Sequence, residues 1–335
     1  MTGDSDQNIE PEWLRKLPLR SEEPGFSPDQ LIKCEACGKA NAPNRVACLY
    51  CGAGIHGTTI TRFDIEVPES WENGYNIILG DTPDAELEPA AIQIASMLGA
   101  ETETVSTILA EGGGLPLARV KKESQAAAVS AKLAEFEIKS MIVADESLHA
   151  ASAPTRLRSI TFEGNSIRLE LFNRGRFELL ESSELMLVIP GVLLQGKTES
   201  VERRKRRGTK TLREAEMSSD EPVLDIYSVR EPNGWRIRAS GFDFSCLDAD
   251  KSLIVGENMK KLTAKLIEFS PTTRVIADYS KISSILEYAW PSESRRDTLA
   301  LGLNRKEVSN VFTTNNTLQF NRYSRLQWQL YEKEL

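Results

Sequence analysis

Histidine is nearly absent. The chain of 335 residues carries two, His56 and His149, so chemistry that needs a histidine base, or a metal held by imidazoles, has few places to occur. No apolar run reaches the roughly 18 residues of a membrane-spanning helix. The longest candidate, LMLVIPGVLL at 185–194, contains Pro190 and Gly191, and no membrane partner is expected. Met1 to Arg20 lacks the apolar centre of a secretory signal, which points to the cytoplasm. Neither a G-x-x-x-x-G-K-[S/T] phosphate loop nor a G-x-S-x-G elbow occurs, and EGGG at 111–114 reads as a helix stop. An excess of positive charge is missing too. A net charge of −8 argues against a protein that coats nucleic acid through its bulk field. The remaining composition, 40% hydrophobic and 27% charged, is ordinary for a soluble globular chain, and the length allows two or three folded domains.

Cysteine is scarce but concentrated. Four of the five lie within CEACGKANAPNRVACLYCG, residues 34–52. Cys34 and Cys37 form one C-x2-C pair, and Cys48 and Cys51 form a second. A tight turn lets each pair offer two thiolates to one Zn2+, which takes four soft ligands in a tetrahedron at about 2.3 Å. Gly38 and Gly52, one after each pair, allow the backbone to fold back over a metal. Disulfides would need an oxidising compartment, and a redox C-x2-C would occur once, after a strand. One structural zinc per chain is the expectation, as a staple for a piece too small to hold its own core. Cys246 is excluded from the set, since it lies in an unrelated apolar segment.

The full pattern, C-x2-C-x3-N-x6-C-x2-C, resembles the RanBP2-type zinc finger and the short zinc ribbons of bacterial proteins. Asn41 falls where the RanBP2 type has its Asn, and Arg45 where RNA-binding members often have an Arg. Ile32 stands where that family usually has a Trp, and Ala42 and Pro43 leave no aromatic for base stacking. The bacterial zinc ribbon is therefore the preferred resemblance. It implies a protein-binding or purely structural unit, with nucleic acid as the alternative.

The chain divides as follows. Residues 1–30, with Pro11, Pro18, Pro24 and Pro28, read as a flexible tail with one apolar cluster, Trp13, Leu14 and Leu17. The ribbon spans 31–57. A small α/β domain spans 58–150, in the order strand (75–80), helix (86–100), helix (101–114), extended segment (115–120), helix (122–138) and strand (139–145). That order, with YNIIL as first strand and a Gly-rich stop before LP, resembles the C-terminal domain of ribosomal protein L7/L12. The family's factor-binding helix is rich in lysine. The corresponding IASMLGAETETV has none and carries Glu101 and Glu103, so a translation-factor contact is not implied.

From 155 to 220 the apolar period is two, through Ile160, Phe162, Ile167, Leu169 and Leu171, with turn signals at 163–165 and 173–175. An antiparallel meander is expected. The basic run Arg203, Arg204, Lys205, Arg206 and Arg207 follows and reads as an exposed loop that can grip RNA or DNA phosphates. Residues 221–335 read as a C-terminal α/β domain. Strands are expected at 223–229 and 234–240 about REPNG, helices at 251–271 and 278–291, and strands again about TTNN near 313–316. Arg322 and Arg325 are further phosphate candidates, and Tyr288, Trp290, Phe320, Tyr323 and Trp328 read as core. Asp243, Asp248, Asp250 and Lys251 invite comparison with Mg2+-dependent nucleases, but the required (D/E)-x-K fails at Ala249. The fold class is thus α+β, and the first functional reading is a cytoplasmic zinc-ribbon adaptor that contacts proteins. A nucleic-acid-binding protein is the second, and an unrecognised enzyme in the C-terminal domain the third.

Overall fold

The computed structural model describes residues 31–34, 36–42, 48–53, 65–81, 87–173, 175–205, 208–301 and 307–334. The tail at 1–30, with its Trp13 cluster, and Arg45, Arg206 and Arg207 lie outside them. The chain is α+β and falls into two compact units, Met1–Thr61 and Arg62–Leu335. In the first, β1 (Ile32–Lys33) pairs antiparallel with β2 (Ala40–Asn41), Ile32 opposite Asn41.

The second unit opens with β3 (Tyr75–Leu79), α1 (Glu88–Leu98), α2 (Thr102–Glu111), β4 (Pro116–Val120), α3 (Glu123–Ala134), β5 (Ser140–Ala144) and the short α4 (Asp145–Leu148). Pro89 in the first turn of α1 supplies a preset φ. Gly99, at φ +67°, ends the helix by donating its N–H to the Ala95 carbonyl. The strands form an antiparallel sheet in the order β4-β3-β5. Alternation along β3 divides two cores. Ile77 and Leu79 face Ile94, Ile108, Val129 and Leu133 of the three helices. Ile78 faces the opposite way, into a core with Tyr279, Trp290, Tyr323 and Trp328. β3 and β4 are therefore buried on both sides and read as apolar runs, whereas the edge strand β5 exposes Ile142.

The larger sheet contains β6 (Thr155–Glu163), β7 (Ser166–Leu171), β8 (Phe177–Glu181), β9 (Leu187–Lys205), β10 (Gly208–Ser228), β11 (Glu231–Arg238), β12 (Arg274–Val275), β13 (Glu293–Leu301) and β14 (Glu307–Asn315). Its order is β13-β14-β9-β10-β11-β6-β7-β8, with β12 beside β9. The β11–β6 and β12–β9 pairs are parallel and the rest antiparallel. Three helices cover it: α5 (Val255–Phe269), α6 (Tyr279–Leu286) and α7 (Thr317–Glu334). Period-two alternation again assigns the faces. Val188, Leu224 and Ile226 join Met259, Leu262 and Leu266 of α5. Leu187, Ile189, Val223 and Tyr227 join α6 and α7. Because both faces are covered there, Leu187, Val188, Ile189 and Leu193 of LMLVIPGVLL are buried in β9, and no helix among the described residues is long and apolar enough to cross a membrane.

Three expectations fail. The basic run is not a loop between domains: Arg203, Arg204 and Lys205 belong to β9 and pair with Lys210, Thr209 and Gly208 of β10. The apolar alternation ends near Leu193, but the hydrogen-bonded ladder continues through Thr198, Val201, Thr209 and Thr211, with β14 on the other side of β9. The C-terminal stretch is not a pair of strands about TTNN. β14 runs to Asn315, and α7 follows at once, with the Asn315 side chain accepting the Thr317 N–H at 3.1 Å. The hairpin between β10 and β11 turns at Val229–Arg230, with Glu231 and Pro232 between this turn and the Asn-Gly pair. Gly234 lies inside β11 at φ +68°, where the register slips between Ile226 and Ser228.

Packing of α7 on the sheet rests on one close approach. A Cβ added at Gly191 would collide with the Phe320 ring. Gly191→Ala is expected to cost about 1–3 kcal/mol, the usual penalty of overpacking, measured as a lower midpoint in urea. An unchanged midpoint would mean that α7 is not seated on β9 in this way.

Candidate functional site

The two C-x2-C pairs form matching turns. In the first, Gly38 N–H donates to the Cys34 carbonyl at 2.7 Å, and Cys34 N–H donates to the Lys39 carbonyl at 2.9 Å. In the second, Gly52 N–H donates to the Cys48 carbonyl at 2.9 Å, and Cys48 N–H donates to the Ala53 carbonyl at 2.8 Å. Both glycines are left-handed, at φ +69° and +74°. Nothing crowds a Cβ at either, so the requirement is conformational rather than steric.

These turns bring the four sulfurs within 4.8 Å of one another, and among the described residues no other cluster of metal-ligating side chains forms. Cys34 Sγ lies 3.7 Å from Cys51 Sγ, and Cys37 Sγ lies 3.5 Å from Cys48 Sγ. Disulfides, at about 2.05 Å, are excluded for these pairs. The edges of a tetrahedron around an ion with bonds of about 2.3 Å are about 3.8 Å, so the spacing fits a single tetrahedral ion. Asn41 ties the two turns together. Its Nδ2 donates to the Lys39 carbonyl at 2.8 Å and to Cys48 Sγ at 3.4 Å, and its Oδ1 accepts the Leu49 N–H at 2.9 Å. Burial would raise the Cys48 thiol, but hydrogen bonds from the Tyr50 and Cys51 backbone and from Asn41 outweigh it and draw it down to about 6. Cys37 goes the other way. The Lys39 backbone favours its thiolate, yet burial and the three neighbouring sulfurs push it up to about 12. Four sulfurs this close cannot all be anionic without a cation among them, and a bound ion would release the remaining protons.

The four sulfurs converge on one another, and the residues between the second pair point away from them. Leu49 is 63% and Tyr50 61% exposed, with the Lys39 ammonium 5.8 Å from the Tyr50 ring. The aromatic that positions 42–43 lack is thus presented from the second turn. Its signal was present in C-L-Y-C, because the inner residues of such a turn cannot join the ligands.

The other sequence candidates are dispersed. Arg203, Arg204 and Lys205 lie at the far end of the β9–β10 hairpin. Arg322 and Arg325 are each 4% exposed: Arg322 lies at the bottom of a cleft, and Arg325 donates to the Pro232 and Ser152 carbonyls at 2.6 and 3.4 Å. Asp243 accepts the Ser245 N–H at 3.0 Å and sits 3.9 Å from Lys251, whereas Asp248 faces Lys265 at 3.8 Å. They do not converge. Burial raises the Cys246 thiol.

No protein-family model matches the sequence, and no curated protein or solved structure is significantly similar to it. The L7/L12 resemblance thus has no support beyond its element order.

One buried polar network gave no signal in the sequence. Asp145, at the start of α4, accepts from Gly74 N–H at 2.9 Å, Asn76 Nδ2 at 2.9 Å and Arg119 Nε at 2.7 Å. Asn76 in turn accepts the Trp290 indole N–H at 2.7 Å. The residues around Asp145 carry no sign of burial, since it follows a strand as an ordinary helix-start acid.

Proposed function

We propose that the protein is a zinc-carrying cytoplasmic adaptor whose ribbon contacts a partner protein through Leu49 and Tyr50. The carrying observation is that exposed pair, held on a turn that the cysteine cluster makes rigid. The donor set, four thiols with no oxygen or imidazole among the described residues, favours zinc in a closed structural role. An apolar and aromatic pair, presented with little conformational entropy to lose, is the usual composition of a binding hot spot. The element order of the α/β layer supports an L7/L12-like module after the ribbon in the sequence, without the lysine-rich factor-binding helix.

The test is the double variant Leu49→Ser with Tyr50→Ser. It should keep its zinc and lose the proteins that cross-link to the wild-type chain in cells. The same cross-linked set in both would refute the reading.

The nucleic-acid alternative keeps one observation. Antiparallel pairing places Arg203, Arg204, Lys205 and Lys210 together at one end of the β9–β10 ladder, with β14 reaching Arg203 from the other side of β9. Such binding should fall steeply with salt, and Arg203→Ser with Arg204→Ser should reduce the slope by up to about one unit for each phosphate no longer gripped. Wild-type protein that RNA and DNA fail to retain at about 50 mM salt would end this alternative.

A further inference from the structure

A second site lies far from the cysteines in sequence and is independent of the adaptor reading. A cleft of about 770 Å³ opens in the second unit, where the segment before β3, the start of α4, β13 and α7 meet. Its floor holds an arginine short of partners. Arg322 is 4% exposed. A guanidinium has five N–H donors, but the hydrogen bond made here is one from Nη2 to the Ser70 carbonyl at 3.4 Å. Nε has no acceptor and stands 3.6 Å from Asp145 Oδ1.

Asp145 does not neutralise Arg322, because it is already committed. Arg119 approaches its Oδ2 to 2.6 Å, and Gly74 and Asn76 donate to the same carboxylate. Arg119 is itself saturated, with the Pro68 and Glu69 carbonyls each at 3.2 Å and Glu72 O close by. Two guanidiniums therefore share one carboxylate, leaving about one uncompensated positive charge in a buried place, which is costly. Burial first, and then the Arg119 charge, bring Arg322 down to about 10.

The same cleft offers the opposite charge. Glu293, half-buried at the start of β13, lines it, and its carboxylate forms no hydrogen bond or ion pair among the described residues. Its field reaches Arg322. Trp71, 79% exposed, supplies an apolar wall. A simple anion would satisfy Arg322 but face Glu293 unfavourably, and a simple cation would do the reverse. A molecule with both charges satisfies both, and the volume is in the range of small-molecule sites.

We propose that this cleft binds a small zwitterion of the amino-acid type, its carboxylate on the Arg322 guanidinium, its ammonium on the Glu293 carboxylate and its side chain against Trp71.

The test is calorimetric titration of the full-length protein with each of the common free amino acids. Propionate and propylamine serve as single-charge probes. At least one amino acid should bind saturably, and at least tenfold more tightly than either probe. Glu293→Gln, a half-exposed position where folding is not at stake, should erase the preference for the zwitterion over propionate. Arg322→Gln should abolish binding of both. If no amino acid binds at about 10 mM, a concentration that captures even weak millimolar sites, the proposal fails. It fails equally if propionate binds as tightly as the best amino acid, or if Glu293→Gln leaves the preference intact.

Discussion

Replacing Asp225 with Ala should destabilise the Arg62–Leu335 unit by about 3–5 kcal/mol, the cost of leaving a buried charge unpaired. Asp225 is fully buried and lies directly across the β10–β11 ladder from Arg236. Arg236 grips it at both oxygens, Nε to Oδ1 at 2.6 Å and Nη2 to Oδ2 at 2.7 Å, the bidentate geometry that makes such pairs strong. Ser324 of α7 donates to the same carboxylate at 2.6 Å and exchanges a 2.7 Å hydrogen bond with the Tyr227 hydroxyl. Arg236 also donates to Asn321 Oδ1 at 2.8 Å. The pair therefore joins the centre of the sheet to the centre of α7. The Ala variant strands the guanidinium in the core and removes the Ser324 acceptor as well. Equilibrium unfolding in urea measures the loss, and a cost below about 1 kcal/mol would mean that water reaches the pair. The double variant Asp225→Leu with Arg236→Met separates burial from pairing. Two apolar residues of similar volume leave no stranded charge, so it should be more stable than Asp225→Ala alone.

How far the sequence disclosed this arrangement differs from element to element. The small α/β layer was legible because each helix carries a 3.6-residue apolar stripe, α1 and α2 with stops at Gly99 and Gly112, and each strand is a short apolar run. The ribbon was legible because metal coordination fixes spacing, and spacing is visible in sequence. Helix α7 reads as strand because Phe320, Tyr323 and Trp328 favour strands. Its polar residues give no hint that Gln319, Asn321, Arg322, Ser324 and Arg325 are all buried. A helix covered on most sides by other elements can bury polar residues wherever a partner waits, and those partners lie up to about 250 residues away, as with Arg322 and Ser70. The Asp225–Arg236 pair was hidden for the same reason. On alternating strands, a charged residue between apolar ones reads as the solvent side, and only the helix laid over that face turns it inward. The cleft could not be read at all, since its walls come from four separate parts of the chain.

Removing the metal should unfold the ribbon and leave the larger unit standing. The described part of the ribbon has almost no core besides its ligands: the buried apolar side chains are Cys34 and Cys48, with Ala53 packed against them. Asn41, the other buried residue, serves Cys48 and the backbone of both turns. A two-residue pairing of β1 with β2 cannot hold such a piece together, so the binding free energy of the ion, about 10–16 kcal/mol for structural zinc, is its folding free energy. A strong chelator should therefore erase the ordered signals of residues 36–42 and 48–53 in an amide NMR spectrum, while the cooperative urea transition of the Arg62–Leu335 unit stays within error. Elemental analysis should find one zinc per chain in the wild type, none in Cys34→Ser, and one in Cys246→Ser, whose thiol sits beside Lys265 and the α5 layer. Zinc kept by Cys34→Ser would refute the four-sulfur site. A shift of the urea transition on chelation would show that the ribbon contributes to the stability of the second unit, and would make Leu49 and Tyr50 intramolecular contacts rather than a surface offered to a partner.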